Sequence, residues 1–223
     1  MGAITGRTVL FDLDGTLVDT LPDLAASLNR IIGARPFAPA EVAAMIGDGM
    51  ARLLARALAS RGQPDDPALV AGFEADYLSH VAVASRPYPG TVEALSALQG
   101  AGWRLAVATN KPERAAVQLL EALDLKEFFK AVTGGDSLPV RKPDPRHLLA
   151  TLRLAGGNPG RAAMLGDHAN DIKAARAAGI VPVFALWGYG RKEMADGAQT
   201  LPIISALPQI LEELIEPENA PLS

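Results

Sequence analysis

Thr8-Val9-Leu10-Phe11-Asp12-Leu13-Asp14-Gly15-Thr16 is an apolar run that ends in two carboxylates and a glycine. A β-rich run of this kind reads as a buried strand that delivers its last residues to a polar site. In an extended segment the side chains at i and i+2 point the same way, so Asp12 and Asp14 face one pocket while Leu13 faces away. Paired carboxylates at a strand tip suit two chemistries, a nucleophile with a general acid or a divalent-metal site. A solvated Asp-Gly turn is the plainer alternative.

The texture changes after Gly15. Helices are predicted over residues 22–32, 39–46, 50–61 and 67–83, with no strand among them. The first opens on a proline and stops at Gly33, and the second runs into Gly47-Asp48-Gly49. The third carries Leu53, Leu54, Ala57 and Leu58 at helical spacing, and the fourth places Leu69, Val70, Phe73, Tyr77, Leu78 and Val81 on one face. From Tyr88 onward the pattern alternates. Helices are expected at 91–98, 112–123, 145–154, 171–178 and 207–215, and strands at 104–109, 131–133, 162–165 and 181–185. Alternation predicts an α/β fold, a Rossmann-like doubly wound parallel sheet with helices on both faces. The strand at 8–11 needs that sheet for partners, so the helical block is expected as an insertion. The core is then 1–15 and 86–223, with an α-helical cap at 16–85. Gly15-Thr16 and the stretch from Ser85 to Gly90 would be the two joints.

Composition narrows the partners. The chain has 223 residues, 49% apolar and 21% charged, enough for a core domain with a smaller insert. Its net charge of −4 offers no basic field for nucleic acid or an anionic membrane, so an anionic ligand needs a metal or a few placed cations. The absence of cysteine excludes disulfides, a thiol nucleophile and a Cys-ligated zinc site. Met1-Gly2-Ala3-Ile4-Thr5-Gly6-Arg7 holds no apolar signal core, and no apolar run reaches membrane-spanning length. Gly6 stands where a myristoylation start wants Ser or Thr. A cytoplasmic protein is expected, of unspecified oligomeric state.

Ligands of a doubly wound sheet bind beyond the carboxyl ends of its strands, and three further polar clusters fall there. Thr109-Asn110 ends a strand and Lys111-Pro112-Glu113 starts a helix, which makes either an anion site or a simple N-cap. Lys142 precedes Pro143 and so sits on stiff, extended chain, although a lone lysine is ordinarily a surface residue. Gly166-Asp167 ends another strand, with Asp171 four residues later at a helix start, where it could complement the dipole. With Asp12 and Asp14, Asp167 supplies a third oxygen donor, and oxygen-only sites with retained water suit Mg²⁺. His168 is assigned a local hydrogen-bonding role rather than ligation. His80, His147 and Arg141 are expected on the surface, and Arg52 and Arg56 on a solvated helix face. Trp187 and Tyr189, in a glycine-rich stretch, either close over the site or pack a loop.

Taken together, the four clusters resemble the four motifs of the haloacid dehalogenase-like hydrolase superfamily. Asp12-Leu13-Asp14-Gly15-Thr16 resembles the first, Thr109-Asn110 the second, Lys142-Pro143 the third, and Gly166-Asp167 with Asp171 the fourth. The helical insert is similar to the cap of one branch. Gly47-Asp48-Gly49 followed by Leu53 and Ala57-Leu58, and later Trp187-Gly188-Tyr189-Gly190, resemble phosphoglycolate phosphatases. Gly197-Ala198-Gln199 departs from the Gly-Ala-Asp that relatives often carry.

The resemblance implies that Asp12 attacks phosphorus, that Asp14 protonates the leaving alkoxide and then activates water, and that Lys142 neutralises charge. Thr109, Asn110 and Lys142 would bind the phosphoryl group, and Gly47, Asp48 and Gly49 would lie nearest the rest of the substrate. Asp12, the backbone carbonyl of Asp14, and Asp167 would hold Mg²⁺, with Asp171 in support. The expected function is Mg²⁺-dependent hydrolysis of a small phosphorylated metabolite, 2-phosphoglycolate first, with another sugar phosphate or a nucleotide as alternatives. A phosphomutase would need a cap that returns a phosphosugar for a second transfer. A haloacid dehalogenase needs neither metal nor a proton donor, so Asp14 and Asp167 argue against it. A non-catalytic binding module would have lost a reacting group, and Asp12, Asp14, Lys142 and Asp167 are all present.

Overall fold

The computed structural model describes residues 6–33 and 35–215. The outer ends of the two expected core segments, 1–5 and 216–223, and residue 34 of the expected cap lie outside the described residues. Strands β1 (Thr8–Phe11), β4 (Arg104–Ala108), β5 (Ala131–Thr133), β6 (Ala162–Gly166), β7 (Val181–Ala185) and β8 (Gln199–Leu201) form one parallel sheet in the order β5-β4-β1-β6-β7-β8. The two remaining strands, β2 (Val18–Asp19) and β3 (Arg86–Pro87), pair antiparallel as a short separate ribbon.

Alternation along β1 explains why the sheet is covered on both sides. Val9 and Phe11 pack with Leu105 and Val107 beneath α5 (Thr91–Gly100), α6 (Glu113–Ala122) and α9 (Leu207–Leu214). Leu10 packs with Ala106, Ala108 and Met164 against α7 (Pro145–Leu154) and α8 (Ala169–Ala177) on the other face. All four residues of β1 are buried, as a central parallel strand requires. The chain leaves β1 toward β4 on one side and later returns to β6 on the other. The order therefore reverses at β1, and the crevice at its carboxyl end is the place such sheets hold ligands.

Between β2 and β3 lie α1 (Leu21–Ile32), α2 (Pro39–Ala43), α3 (Met50–Ser60) and α4 (Ala68–Ser79). They close on a hydrophobic cluster of their own, built from Leu24, Leu28, Leu54, Leu58, Phe73 and Tyr77, which among the described residues receives only Ala115 from the core. Two of these helices stop sooner than their apolar pattern does. The helix expected to reach residue 46 ends at Ala43, because the chain turns into Gly47 at φ +122°. The one expected to reach 83 ends at Ser79: Ala82 takes φ +61°, and Asp23 on α1 draws the next residues away by accepting from the Ala84 and Ser85 amides at 2.8–3.1 Å. Tyr88 N donates to Leu17 O at 3.0 Å, so the chain enters and leaves the insert at one place.

Candidate active site

Asp12 follows β1 directly, and its amide donates to Leu165 O at 2.9 Å, which extends the ladder just far enough to hold its side chain at the sheet edge. Leu13 is fully buried in the core, on the opposite parity. Gly15 then turns at φ +80°. A Cβ there would collide with the Asp167 carboxylate, so the turn has to be glycine. Thr16 Oγ1 donates to Asp167 Oδ1 at 3.1 Å, while Tyr189 N donates to Asp167 Oδ2 at 2.7 Å. Asp167 is thus anchored from both sides at the end of β6.

Three carboxylates, those of Asp12, Asp167 and Asp171, bring oxygens within 4.8 Å of one another, all buried. Lys142 Nζ lies 2.9 Å from Asp12 Oδ1 and 2.7 Å from Asp171 Oδ1. Burial pulls this ammonium down, but Asp12 and Asp171 outweigh it and its pKa is raised. Burial, and then the charges of Asp12 and Asp171, push the Asp167 carboxyl up to about 7. Asp171 is also raised, by burial first, with Lys142 opposing. Three buried carboxylates facing one buried ammonium leave a charge deficit that a divalent cation fits, and hard oxygen donors suit Mg²⁺. Asp171 belongs to this cluster as fully as Asp12 and Asp167 do. Its Oδ2 also accepts from His168 N at 3.0 Å, closing a capping box at the start of α8.

The Asp14 side chain stands apart from these three. Its Oδ1 accepts from Thr20 Oγ1 at 2.7 Å and from Lys111 Nζ at 2.9 Å. Thr20 precedes α1, and its hydroxyl is spent on Asp14 rather than on capping that helix. Thr109 and Asn110 end β4. Thr109 Oγ1 accepts from Lys111 N at 3.2 Å, and Asn110 Nδ2 donates to Lys142 O and to Gly47 O, both at 3.0 Å.

A cavity of about 520 Å³ opens over these groups. Its floor includes Asp12, Asp14, Thr109, Asn110, Lys111 and Asp167, and its roof is apolar, with Leu24, Ile46, Met50 and Leu53 from the insert beside Gly47 and Gly49. Asp48, between those glycines, accepts from Asn170 Nδ2 at 2.7 Å and pairs with Arg56. Burial raises its pKa, but Asn170 and Arg56 outweigh burial and hold it low. Gly49 takes φ +88°, and a Cβ on it would stand 2.8 Å from Asn110 O, so the insert meets the core here by backbone approach. Arg52 and Arg56 are exposed and do not line the cavity. His168 lines it, with Nδ1 accepting from Asn170 N at 3.2 Å, a local role.

Two residues sit differently from expectation. His147 is fully buried, not at the surface: it shares the sheet-facing side of α7 with Leu148, Thr151 and Leu152 and bonds Thr133 Oγ1 at 3.0 Å. Burial, then Lys142, lowers it to about 4. Tyr189 does more than cover a loop. While its amide holds Asp167, its hydroxyl donates to Asp19 Oδ1 at 2.8 Å and accepts from the Thr20 and Leu21 amides at 2.7 and 3.0 Å. Lys111, Thr20 and Asn170 were not singled out from sequence. The nearest signal was that Lys111 directly follows Thr109-Asn110 at a strand end.

Comparison with known proteins follows the same lines. The family model of haloacid dehalogenase-like hydrolases matches residues 7–179. A phosphoglycolate phosphatase of Caulobacter vibrioides is 45% identical over 83% of this chain and 81% of its own length. That of Mesorhizobium japonicum is 40% identical over 93% and 94%. Among solved structures, a protein of Haemophilus somnus described as a predicted phosphoglycolate phosphatase superposes with a TM-score of 0.84 at 30% identity, covering 94% of this chain and 99% of that one. CbbY of Rhodobacter sphaeroides, solved in complex with phosphate, gives 0.78 at 27%, covering 90% and 96%.

Proposed function

This chain belongs to the haloacid dehalogenase-like hydrolase family, and from that premise we propose a Mg²⁺-dependent phosphatase that converts 2-phosphoglycolate to glycolate and phosphate. The enzyme class is phosphoric monoester hydrolase. One observation carries the mechanism: Asp12 meets Asp167, Asp171 and Lys142 at the carboxyl edge of β1, and Asp12, Asp14 and Asp167 line one cavity. In this reading an Asp12 oxygen bonds phosphorus as the ester P–O bond breaks, and the leaving oxygen takes its proton from Asp14. Asp14 then takes a proton from water, whose oxygen displaces Asp12 from phosphorus and frees phosphate. Asp12, the Asp14 carbonyl and Asp167 would hold Mg²⁺, with Asp171 beside them, and the ion when bound would supply positive charge for the phosphoryl oxygens. Lys142 adds a fixed positive charge next to Asp12, while Thr109 and Asn110 contact the transferring group.

The same proposal takes residues 16–85 as a cap over a core of 1–15 and 86–223, with Gly47, Asp48 and Gly49 as its substrate-facing turn. The separate cluster within the insert and the narrow ribbon joining it to the core support that division. A cytoplasmic setting belongs to it too, supported by a cysteine-free chain and relatives named for a small anionic metabolite. No helix among the described residues is long and apolar enough to cross a membrane. A panel of phosphate monoesters, from 2-phosphoglycolate to sugar phosphates and nucleotides, assayed with Mg²⁺ and with excess chelator, tests the assignment. The highest kcat/KM should fall on 2-phosphoglycolate. Full activity in chelator would refute the metal, and a strong preference for a larger sugar phosphate would move the substrate.

A further inference from the structure

Lys111 is a charged side chain with 1% exposure, enclosed between the core and the insert. Its Nζ lies 2.9 Å from Asp14 Oδ1 and 3.2 Å from Oδ2, so it bridges both oxygens of one carboxylate. The Nζ also sits over the Tyr77 ring, from α4 of the insert, 4.3 Å from its centroid. Tyr77 is fully buried, and Gln118 on α6 holds the neighbouring Leu78 carbonyl at 2.8 Å, so this end of α4 is fastened to the core. The Asp14 backbone is already fixed by its bridge to Val18. What remains free in Asp14 is its side-chain rotation, and Lys111 with Thr20 sets it.

We propose that Lys111 is the positioning residue of Asp14, held in place from the insert by Tyr77, so that Asp14 is aimed at the leaving oxygen only while the insert is seated. The inference rests on the acid role given to Asp14 above. Its physics is simple. A lysine between a carboxylate and an aromatic face is strongly attracted to both where water is excluded, and much less where it is hydrated. Lifting α4 would wet Nζ, loosen the pair and let the carboxylate turn. Misplacing a reacting group by about 1 Å costs on the order of 100-fold in rate.

The test uses two esters and steady-state kinetics on the full chain with Mg²⁺. 2-Phosphoglycolate expels an alkoxide that needs a proton, whereas p-nitrophenyl phosphate expels a stable phenolate that does not. Asp14→Asn is the reference and should slow the alkyl ester far more than the aryl one. Lys111→Met should repeat that pattern, with kcat on 2-phosphoglycolate falling about 10- to 100-fold more than on p-nitrophenyl phosphate and KM little changed. Lys111→Arg should recover part of the loss, and Tyr77→Leu, with the lysine in place, should show a weaker loss with the same preference. Lys111→Gln serves if the methionine variant does not fold. Equal losses on both esters in Lys111→Met would overturn the inference as a merely structural role. A raised KM for 2-phosphoglycolate at unchanged kcat would overturn it in favour of direct binding of the substrate carboxylate. A normal alkyl-to-aryl ratio in Tyr77→Leu would remove the part assigned to the insert. If Asp14→Asn itself shows no preference, the acid role fails and takes this inference with it. A selective Asp14→Asn beside an unselective Lys111→Met sinks the inference alone.

Discussion

In the proposed metal site, the Asp167 carboxyl would couple Mg²⁺ binding to pH. Burial, and then Asp12 and Asp171, push this carboxyl up to about 7. A cation needs the carboxylate form, so binding below that pH must expel a proton. One site of this kind is ionised in about 9% of molecules at pH 6 and about 91% at pH 8. The apparent Mg²⁺ dissociation constant should therefore rise about tenfold from pH 8 to pH 6, some 1.4 kcal/mol. Asp171, also raised, can only steepen that slope. Calorimetric Mg²⁺ titrations in two buffers of different ionisation enthalpy measure both quantities. About 0.9 proton should be released per ion bound at pH 6, against about 0.1 at pH 8. Asp167→Asn should bind more weakly and lose most of the pH dependence. Equal affinity at pH 6 and pH 8 in the wild type, or no proton release at pH 6, would refute the reasoning.

Asp12→Asn should abolish turnover of every ester with an unchanged unfolding transition, since an amide is a poor nucleophile; measurable turnover on 2-phosphoglycolate would remove Asp12 from that role. His147 is held neutral to about 4 when folded, against 6.5 when unfolded, so the folded state binds fewer protons between those values. Its contribution is complete above pH 6.5 and fades as pH falls toward 4, by about 2 kcal/mol at pH 5. Urea unfolding of wild type and His147→Gln should give a stability difference that is flat above pH 7 and shrinks by about that amount at pH 5. Gly49→Val puts a Cβ 2.8 Å from Asn110 O. It should reduce discrimination among alkyl phosphates more than it slows p-nitrophenyl phosphate, and a uniform slowing of all substrates would argue against a specificity role for that turn.

The strands that build the site were readable because each is a short apolar run stopped by glycine or a polar pair. Asp12, Asp167 and Thr109 were readable because they stand at those stops. Several contacts that complete the site join residues far apart in the chain. Lys111 reaches Asp14 across 97 residues, Asn170 reaches Asp48 across 122, and Tyr189 reaches Thr20 across 169. No local pattern records such pairings, which exist only after the sheet has brought the strand ends together. β8 was missed for a different reason: three residues at a sheet edge, the first exposed, carry too little alternation. His147 could have been recovered, since it recurs with Thr151 at helical spacing beside Leu148 and Leu152.

The central place of β1 has a consequence for how the chain is made. It precedes every other strand among the described residues, yet its neighbours are Arg104–Ala108 and Ala162–Gly166. Both of its edges stay bare until the first of these emerges, and one stays bare until the second. A short apolar strand with open edges invites pairing with other chains. Meanwhile nearly all of the insert's cluster, Leu24 through Tyr77, has already been produced and can collapse by itself. Ribosome-bound chains stalled before Ala162 should therefore show greater protease resistance over 21–79 than around residue 10, and the reverse order would contradict this. The insert is complete before the sheet is, and the residue proposed as the nucleophile waits for most of the protein before it has a home.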